Sequence, residues 1–267
     1  MAKRVDLFDS TYGNFTERVL DEIRKETYGT DIGQNSWLTV DEYERWLPLL
    51  ELSAERHLLE VASGSGGPAL HVARTTGCRV TGIDVNESGV ATASRMAESA
   101  GLADRVRFRS ASADDPLPFD EGTFDALLCI DSMNHFPDRV AVLRDWHRVL
   151  RPGRRALFTD PVVISGPVTN DELALRSSIG LFLFVPAGTN DRLIEQAGFE
   201  LVRQEDVTAN AAAVSGRWHR ARAARRGDLV RIEGEERFEG LQRFFDAVHT
   251  LTSERRLSRI AYVVEKP

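Results

Sequence analysis

The chain has 267 residues, 42% hydrophobic and 28% charged, enough apolar mass for one large domain or a domain with an appended cap. Its net charge of -7 argues against a general binder of nucleic acid or anionic membrane. Cys78 and Cys129 sit in or beside apolar strand-like runs, which points away from a disulfide framework and towards a reducing cytoplasm. Lys3, Arg4, Asp6 and Asp9 stand where a signal peptide needs an apolar core, and no apolar run reaches membrane-spanning length. A cytoplasmic protein is expected, monomeric or a homodimer, with a small-molecule partner rather than nucleic acid or membrane.

Residues 1–52 read as an N-terminal helical lid. Phe15, Val19, Leu20 and Ile23 recur at helical spacing, and Leu38, Tyr43, Trp46, Leu47 and Leu50 do so again after a break. Thr39 and Glu42 have the spacing of a capping box at the second helix. The loop between them carries aromatics near both ends. Tyr28 and Trp37 either pack this arm onto the main domain or, with Gln34, Asn35 and Ser36, face a ligand as a lid.

Residues 53–267 form the core. Seven strands are predicted, at 57–61, 78–84, 106–110, 124–131, from 155, 200–207 and 259–265, with helices at 68–76, 88–100, 139–150 and 190–197 between them. Repeated units of this length predict an α/β fold: a Rossmann-like, doubly wound, mostly parallel seven-stranded sheet with helices on both faces. Residues 161–189 interrupt the rhythm as an insertion after the fifth strand, with a helical piece over 171–184. A helical tract over 209–253 precedes the last strand. Its arginine-rich run, 217–226, is expected to be a solvated helix face, with an acidic partner surface as the sharper alternative.

The stretch His57–Leu70, H-L-L-E-V-A-S-G-S-G-G-P-A-L, joins a strand to a helix through a small-residue loop. Such a loop lets a ligand approach the backbone closely. Gly64, Gly66 and Ala69 fit a dinucleotide fingerprint, and Asp84 stands where an acid would hold a ribose hydroxyl. Neither feature separates a nicotinamide dinucleotide from other adenosine ligands. Glu60 does: an acid at the strand end repels a pyrophosphate and suits an ammonium.

These residues resemble the class I S-adenosylmethionine-dependent methyltransferases over about residues 20–208. Glu60 to Pro68 is similar to their first motif, Gly82-Ile-Asp84-Val to their second-strand acid, Leu117-Pro-Phe119 with Gly122-Thr-Phe124-Asp125 to the entry of their fourth strand, and Arg148 to Gly153 to the turn before their fifth. The resemblance implies S-adenosyl-L-methionine as cofactor and no metal. Glu60 with the loop at Ala62 and Gly64 would hold the methionine portion, and Gly66 would keep the turn tight. Asp84 would take the ribose hydroxyls, Val85 would pack on the adenine, and Ser112 and Ala113 would meet the adenine edge. Ile130 would lie between cofactor and substrate. Ala62 replaces a usual glycine, which its methyl tolerates if the backbone angle is negative. Ser112 replaces the usual adenine acid, with Asp114 as substitute.

The implied reaction is methyl transfer to a small-molecule nitrogen or oxygen, with a natural-product C-methyltransferase or a non-catalytic cofactor binder as alternatives. His135 is the candidate base and Asp131 an acceptor-orienting group just past the fourth strand. The Asp-x-x-x-His spacing is similar to phosphoethanolamine and small-amine N-methyltransferases, and the Gly-Gly-Pro ending to sterol and natural-product enzymes. In the first group a tyrosine pairs with that histidine, a place for Tyr12 or Tyr28. The apolar run Leu181–Val185 suits a less polar acceptor such as a bacterial secondary metabolite.

Overall fold

The computed structural model describes residues 11–12 and 14–267; the N-terminal charges read above fall in residues 1–10, outside the described residues. Helices α1 (Arg18–Tyr28) and α2 (Val40–Trp46) precede the sheet. There follow β1 (His57–Val61), α3 (Gly67–Thr76), β2 (Arg79–Asp84), α4 (Glu87–Ser99), β3 (Val106–Ser110), β4 (Phe124–Cys129), α5 (Arg139–Val149) and β5 (Leu150–Ile164). Then come α6 (Asn170–Arg176), a two-residue β6 (Val185–Pro186), α7 (Thr189–Gln196) and β7 (Glu200–Asp206). Three helices, α8 (Thr208–Ala224), α9 (Arg226–Glu233) and α10 (Glu235–Ser253), lead to β8 (Leu257–Lys266).

The strand order is β3-β2-β1-β4-β5-β8-β7, with β6 beside β5 off this path. Strands β1 to β5 are mutually parallel, and β8 runs antiparallel between β5 and β7. All six residues of β4 are buried, as a strand covered on both faces requires. The order reverses between β1 and β4, so their carboxyl ends open the crevice where ligands of such sheets bind.

Each face of the sheet has its own core. Trp146, Phe158, Phe199 and Tyr262 fill one, and Tyr43, Trp46, Leu70 and Val80 the other. A third cluster lies off the sheet, where Ile23 and Trp37 pack with Val214, Trp218, Phe238, Phe244 and Phe245. Burial of one such large side chain contributes roughly 1.5–3 kcal/mol. The N-terminal segment and the helical tract before β8 therefore form one apolar cap.

Several expectations are corrected. Strand β5 continues through Pro161 to Ile164, because β8 pairs along its length. The helix expected over 171–184 ends at Arg176, and turns carry the chain on to β6. The tract over 209–253 breaks into three helices at Arg225 and Gly234. The arginine run is a solvated face only in part: Arg220 and Arg226 are exposed, and the other three arginines turn to partners within the chain. Arg217 donates to the Thr27 carbonyl, Arg222 is buried against Glu233, and Arg225 bonds Glu26 on α1.

The capping box at α2 does not form. Thr39 is the N-cap without a side-chain bond, because Glu42 turns inward to Arg259. Arg259, fully buried in β8, bonds Glu42 at 2.6 Å and Asp131 at 2.7 Å. Burial alone would lower the Arg259 pKa, but the two carboxylates hold it above its ordinary value. Asn210 on α8 also donates to Glu42 and to the Trp37 carbonyl. Arg259→Met leaves two buried carboxylates without their cation, so urea unfolding should show a loss of about 3–5 kcal/mol. A loss below about 1 kcal/mol would mean the cluster does not hold the cap to the sheet.

Candidate active site

The glycine loop between β1 and α3 is shaped by two close approaches. Gly66 has φ 80°, and a Cβ there would come within 2.5 Å of the Phe108 ring. Gly67 faces the N-terminal segment, where a Cβ would sit 2.2 Å from the Ile32 carbonyl oxygen. Ala62 does not meet the condition of a negative angle: its φ is 57°, in the left-handed region that costs an L-residue roughly 1–2 kcal/mol.

Two carboxyls stand at adjacent strand ends. Asp84 closes β2 and accepts from the Gly64 and Asn86 backbone N–H groups, each at 2.8 Å, so the strand end is bolted to the loop. Burial raises its pKa despite those bonds. Glu60, opposite Gly82 in the β1–β2 register, is buried with no hydrogen-bond partner at Oε2 among the described residues. Burial, then the charge of Asp84, push its pKa up to about 8.

A cleft in two chambers opens beyond these ends. The larger, about 690 Å³, is walled by Asp84, Val85, Asn86 and residues 111–114 on one side and Gly180 and Leu181 on the other. Val85 is 68% exposed on this wall, an apolar surface without cover from the protein. The Ser112 hydroxyl accepts the Asp114 N–H, and Ala113 and Asp114 line the same wall. The smaller chamber, about 110 Å³, holds Glu60, Ala62, Gly64, Ile130, Asp131 and His135 beneath Tyr28, Asn35, Ser36 and Trp37. Tyr12, Ala62 and His135 line both chambers, so the cleft is continuous.

The expected site residues divide accordingly. Gln34 does not face the cleft: fully buried, it accepts the Ile32 N–H and donates towards the Thr30 and Leu38 carbonyls, building the loop. The Tyr28 hydroxyl donates to the Ser36 carbonyl and accepts from the Trp218 indole, so it is a strut of the lid rather than a partner for His135. Asp131 is also committed. It has φ 53°, accepts from Arg259 and the Thr159 hydroxyl at Oδ1, and accepts the Trp37 N–H at Oδ2.

His135 is set differently. Its Nδ1 lies 2.8 Å from the Leu181 carbonyl oxygen. A carbonyl only accepts, so Nδ1 carries the proton and Nε2 the lone pair of the neutral ring. Burial lowers its pKa, which keeps the ring neutral near pH 7. Arg176, absent from the sequence-derived set, lines the smaller chamber with Phe182, Trp218 and Phe244. Its signal was present: it is the only charged residue between Leu173 and Pro186.

Comparison with known proteins bears on the family. A family model described as a methyltransferase domain matches residues 58–153. The chain is 37% identical over 177 residues to methyltransferase GfsG of Streptomyces halstedii, covering 64% of this chain and 61% of that one. It is 31% identical over 153 residues to O-methyltransferase rstn1 of Aspergillus nomiae, covering 57% of this chain and 68% of the relative. The chain belongs to the class I S-adenosylmethionine-dependent methyltransferases. This methyltransferase spans about six tenths of the length of several curated relatives. Its frame also matches the solved [4+2]-cyclase SpnF, at 23% identity, a TM-score of 0.69 and 99% of each chain.

The contact at Gly67 gives a direct test of how the lid seats on the methyltransferase core. Gly67→Ala forces the Ile32–Gly33 backbone off the loop, and overpacking of this kind costs about 1–3 kcal/mol. Limited proteolysis should then cut within residues 29–37 faster than in wild type. An unchanged digestion pattern would show that the segment is not held by this contact.

Proposed function

We propose that the chain moves a methyl group from S-adenosylmethionine to a nitrogen or oxygen nucleophile on a small-molecule acceptor, leaving S-adenosylhomocysteine. The observation that carries the reading is Glu60, a buried carboxyl with an unpartnered Oε2 at the junction of the glycine loop and the smaller chamber. A buried polar atom without a donor is costly, and the ammonium of the cofactor's methionine end supplies one. Ala62 and Gly64 would offer backbone to the same end. Asp84 would take the ribose hydroxyls while keeping its bonds to Gly64 and Asn86. Val85 would cover the adenine, Ser112 and Ala113 would meet its edge, and Ile130 would lie between cofactor and acceptor.

Bound S-adenosylmethionine supplies an electrophilic methyl group on a positively charged sulfur. The protein's task is alignment and proton removal. His135, with Nδ1 donating to Leu181, presents Nε2 as the base that takes the acceptor's proton. Asp131 acts through position: its carboxylate holds Trp37 and the lid in place and sets a negative field beside the imidazolium that forms. Asn35, Ser36 and Trp37 form the lid face of the acceptor chamber, beneath which a macromolecular substrate does not fit. Cys78 and Cys129 are buried and free, which suits a cytoplasmic setting. Because a cyclase shares the frame, released S-adenosylhomocysteine is the decisive product in a screen of small amines, acids and phenols.

Two outcomes follow. The Glu60 carboxyl, ordinarily near 4.5 and here about 8, must ionise to meet an ammonium, so binding below pH 8 expels a proton. Affinity for S-adenosylhomocysteine should rise with pH up to about 8 and then level off. Calorimetry in two buffers near pH 6.5 should read release of close to one proton, absent in Glu60→Gln; no release in wild type would remove this assignment. By the same linkage the ligand-free protein loses stability as pH climbs from about 4.5 to 8, since its folded form binds the proton more tightly than the unfolded chain. His135→Ala should bind S-adenosylhomocysteine as wild type does and lose roughly 10²–10⁴-fold in turnover. Turnover within about threefold of wild type would exclude His135 as the base.

A further inference from the structure

Arg176 closes α6 in the segment between β5 and β6 and lies on the wall of the smaller chamber. It is 1% exposed, and neither Nε nor Nη1 has a hydrogen-bond partner among the described residues. Its guanidinium is packed among aromatic faces, 4.7 Å from the Phe182 centroid, 5.2 Å from Phe244 and 6.0 Å from Trp37. The carboxylates that attract it through space are committed elsewhere: Asp131 to Arg259, and Asp160 to Arg139 and Asn190. Buried arginines elsewhere differ, since Arg24, Arg139, Arg222 and Arg259 each touch a carboxylate. Burial pulls the Arg176 pKa down only to about 10, so the group is charged near neutral pH.

An unpaired buried cation costs several kcal/mol, and the fold gains no hydrogen bond from it. We propose that Arg176 anchors the methyl acceptor by pairing with a carboxylate on it, so that the acceptor is a small acid bearing an amine or hydroxyl. The proposal rests on the methyl-transfer reading above. A guanidinium fork fits a carboxylate with two parallel hydrogen bonds, which fixes the orientation of the acceptor as well as its place. The aromatic walls exclude the water that would otherwise weaken the pair. His135 lies within the electrostatic reach of Arg176, so an acid held there presents its nucleophile on the side of the base.

The charge count favours a monoanion. Glu42 and Asp131 are both paired with Arg259, so among the described residues of the chamber wall Arg176 is the guanidinium an acceptor can pair with. One guanidinium balances a carboxylate; a phosphate dianion would leave an uncompensated charge among aromatic rings. The chamber, about 110 Å³, limits the acid to a small one or to the carboxylate end of a larger molecule. The rival partner is the cofactor's own carboxylate. Asp131 and His135, which couple electrostatically to Arg176, line the same chamber on the side assigned to the acceptor.

The test uses the full chain, as wild type, Arg176→Met and Arg176→Lys, each titrated with S-adenosylhomocysteine and then melted in its presence. Acetate, sarcosine and benzoate are added in turn, each against its neutral amide, with phosphoethanolamine as the phosphate arm. At least one carboxylate should raise the wild-type melting temperature in proportion to log concentration while its amide does not. Arg176→Met should weaken that acid roughly thirtyfold or more, with Arg176→Lys between the two. It should also leave S-adenosylhomocysteine affinity within about twofold and melt no lower than wild type, because an unpaired buried charge has been removed. Carboxylates that behave like their amides, protection that survives in Arg176→Met, or protection by phosphoethanolamine alone would each overturn the carboxylate anchor. So would a clear loss of stability in Arg176→Met, which marks a structural role. A tenfold loss of S-adenosylhomocysteine affinity in that variant would reassign Arg176 to the cofactor. Failure of the wild type to bind S-adenosylhomocysteine at all would instead bring down the methyl-transfer reading on which the anchor rests.

Discussion

The guanidinium of Arg259 is the point on which the two parts of the molecule meet. It sits in the last strand, between an acid of the N-terminal helix α2 and an acid at the end of β4, and it is fully buried. A buried cation cannot shed its proton near neutral pH and must be met by charge, so Glu42 and Asp131 are fixed wherever Arg259 is fixed. The consequence reaches the cleft through short steps. Asp131 is drawn into a left-handed conformation, its second oxygen catches the Trp37 N–H, and Trp37 stacks on Phe244 in the cap. The lid is thus part of the core in energetic terms, although it precedes the sheet in sequence.

What could be read in the sequence was local. Strand and helix periods, the glycine loop, and the two acids at the ends of β1 and β2 each depend on spacing of a few residues, and the strands of the parallel half, the loop and both acids stand where spacing put them. What could not be read depended on partners far along the chain. Glu42 has capping spacing from Thr39, but a bare N-cap bond is worth about 1 kcal/mol, and a buried cation 217 residues away competes for the same carboxylate. The arginine run has the composition of a solvated face, yet α1 and α9 supply carbonyls and acids that absorb three of its arginines. The Ala62 dihedral is likewise set by the turn of the whole loop, which composition does not encode. Two signals were legible and passed over. Arg176 and Arg259 are each a lone charge inside an apolar run, and a lone buried charge demands an account.

The division of roles between Asp131 and His135 follows from the same economy of partners. Both lie just past β4, and their hydrogen-bond partners are what the structure adds to the sequence reading of them. Asp131 has its oxygens spent on Arg259, Thr159 and Trp37, and removing its charge would loosen the lid before it altered any proton transfer. His135 is held at Nδ1 by a carbonyl belonging to the segment after α6, which orients the ring towards the cleft and selects its tautomer. In the proposed mechanism a histidine so fixed needs no carboxylate behind it, because the carbonyl already stabilises the proton on Nδ1.

Glu60 and Arg176 are two ionisable groups of the smaller chamber that make no salt bridge among the described residues, and they differ in what they can do about it. Glu60 escapes by taking a proton, since its pKa of about 8 lets the carboxyl stay neutral in the ligand-free protein. Arg176 has no such escape; a guanidinium that titrates near 10 remains a cation at any pH where the fold operates. The cost of Glu60 is therefore conditional and that of Arg176 permanent. The aromatic faces around the guanidinium offset part of that cost, and an occupant that brings a negative group offsets the rest. Polar groups left unanswered by a fold concentrate where ligands answer them. On that ground the cleft is complementary to two charged ends rather than one, an ammonium at the glycine loop and an anion beneath the lid.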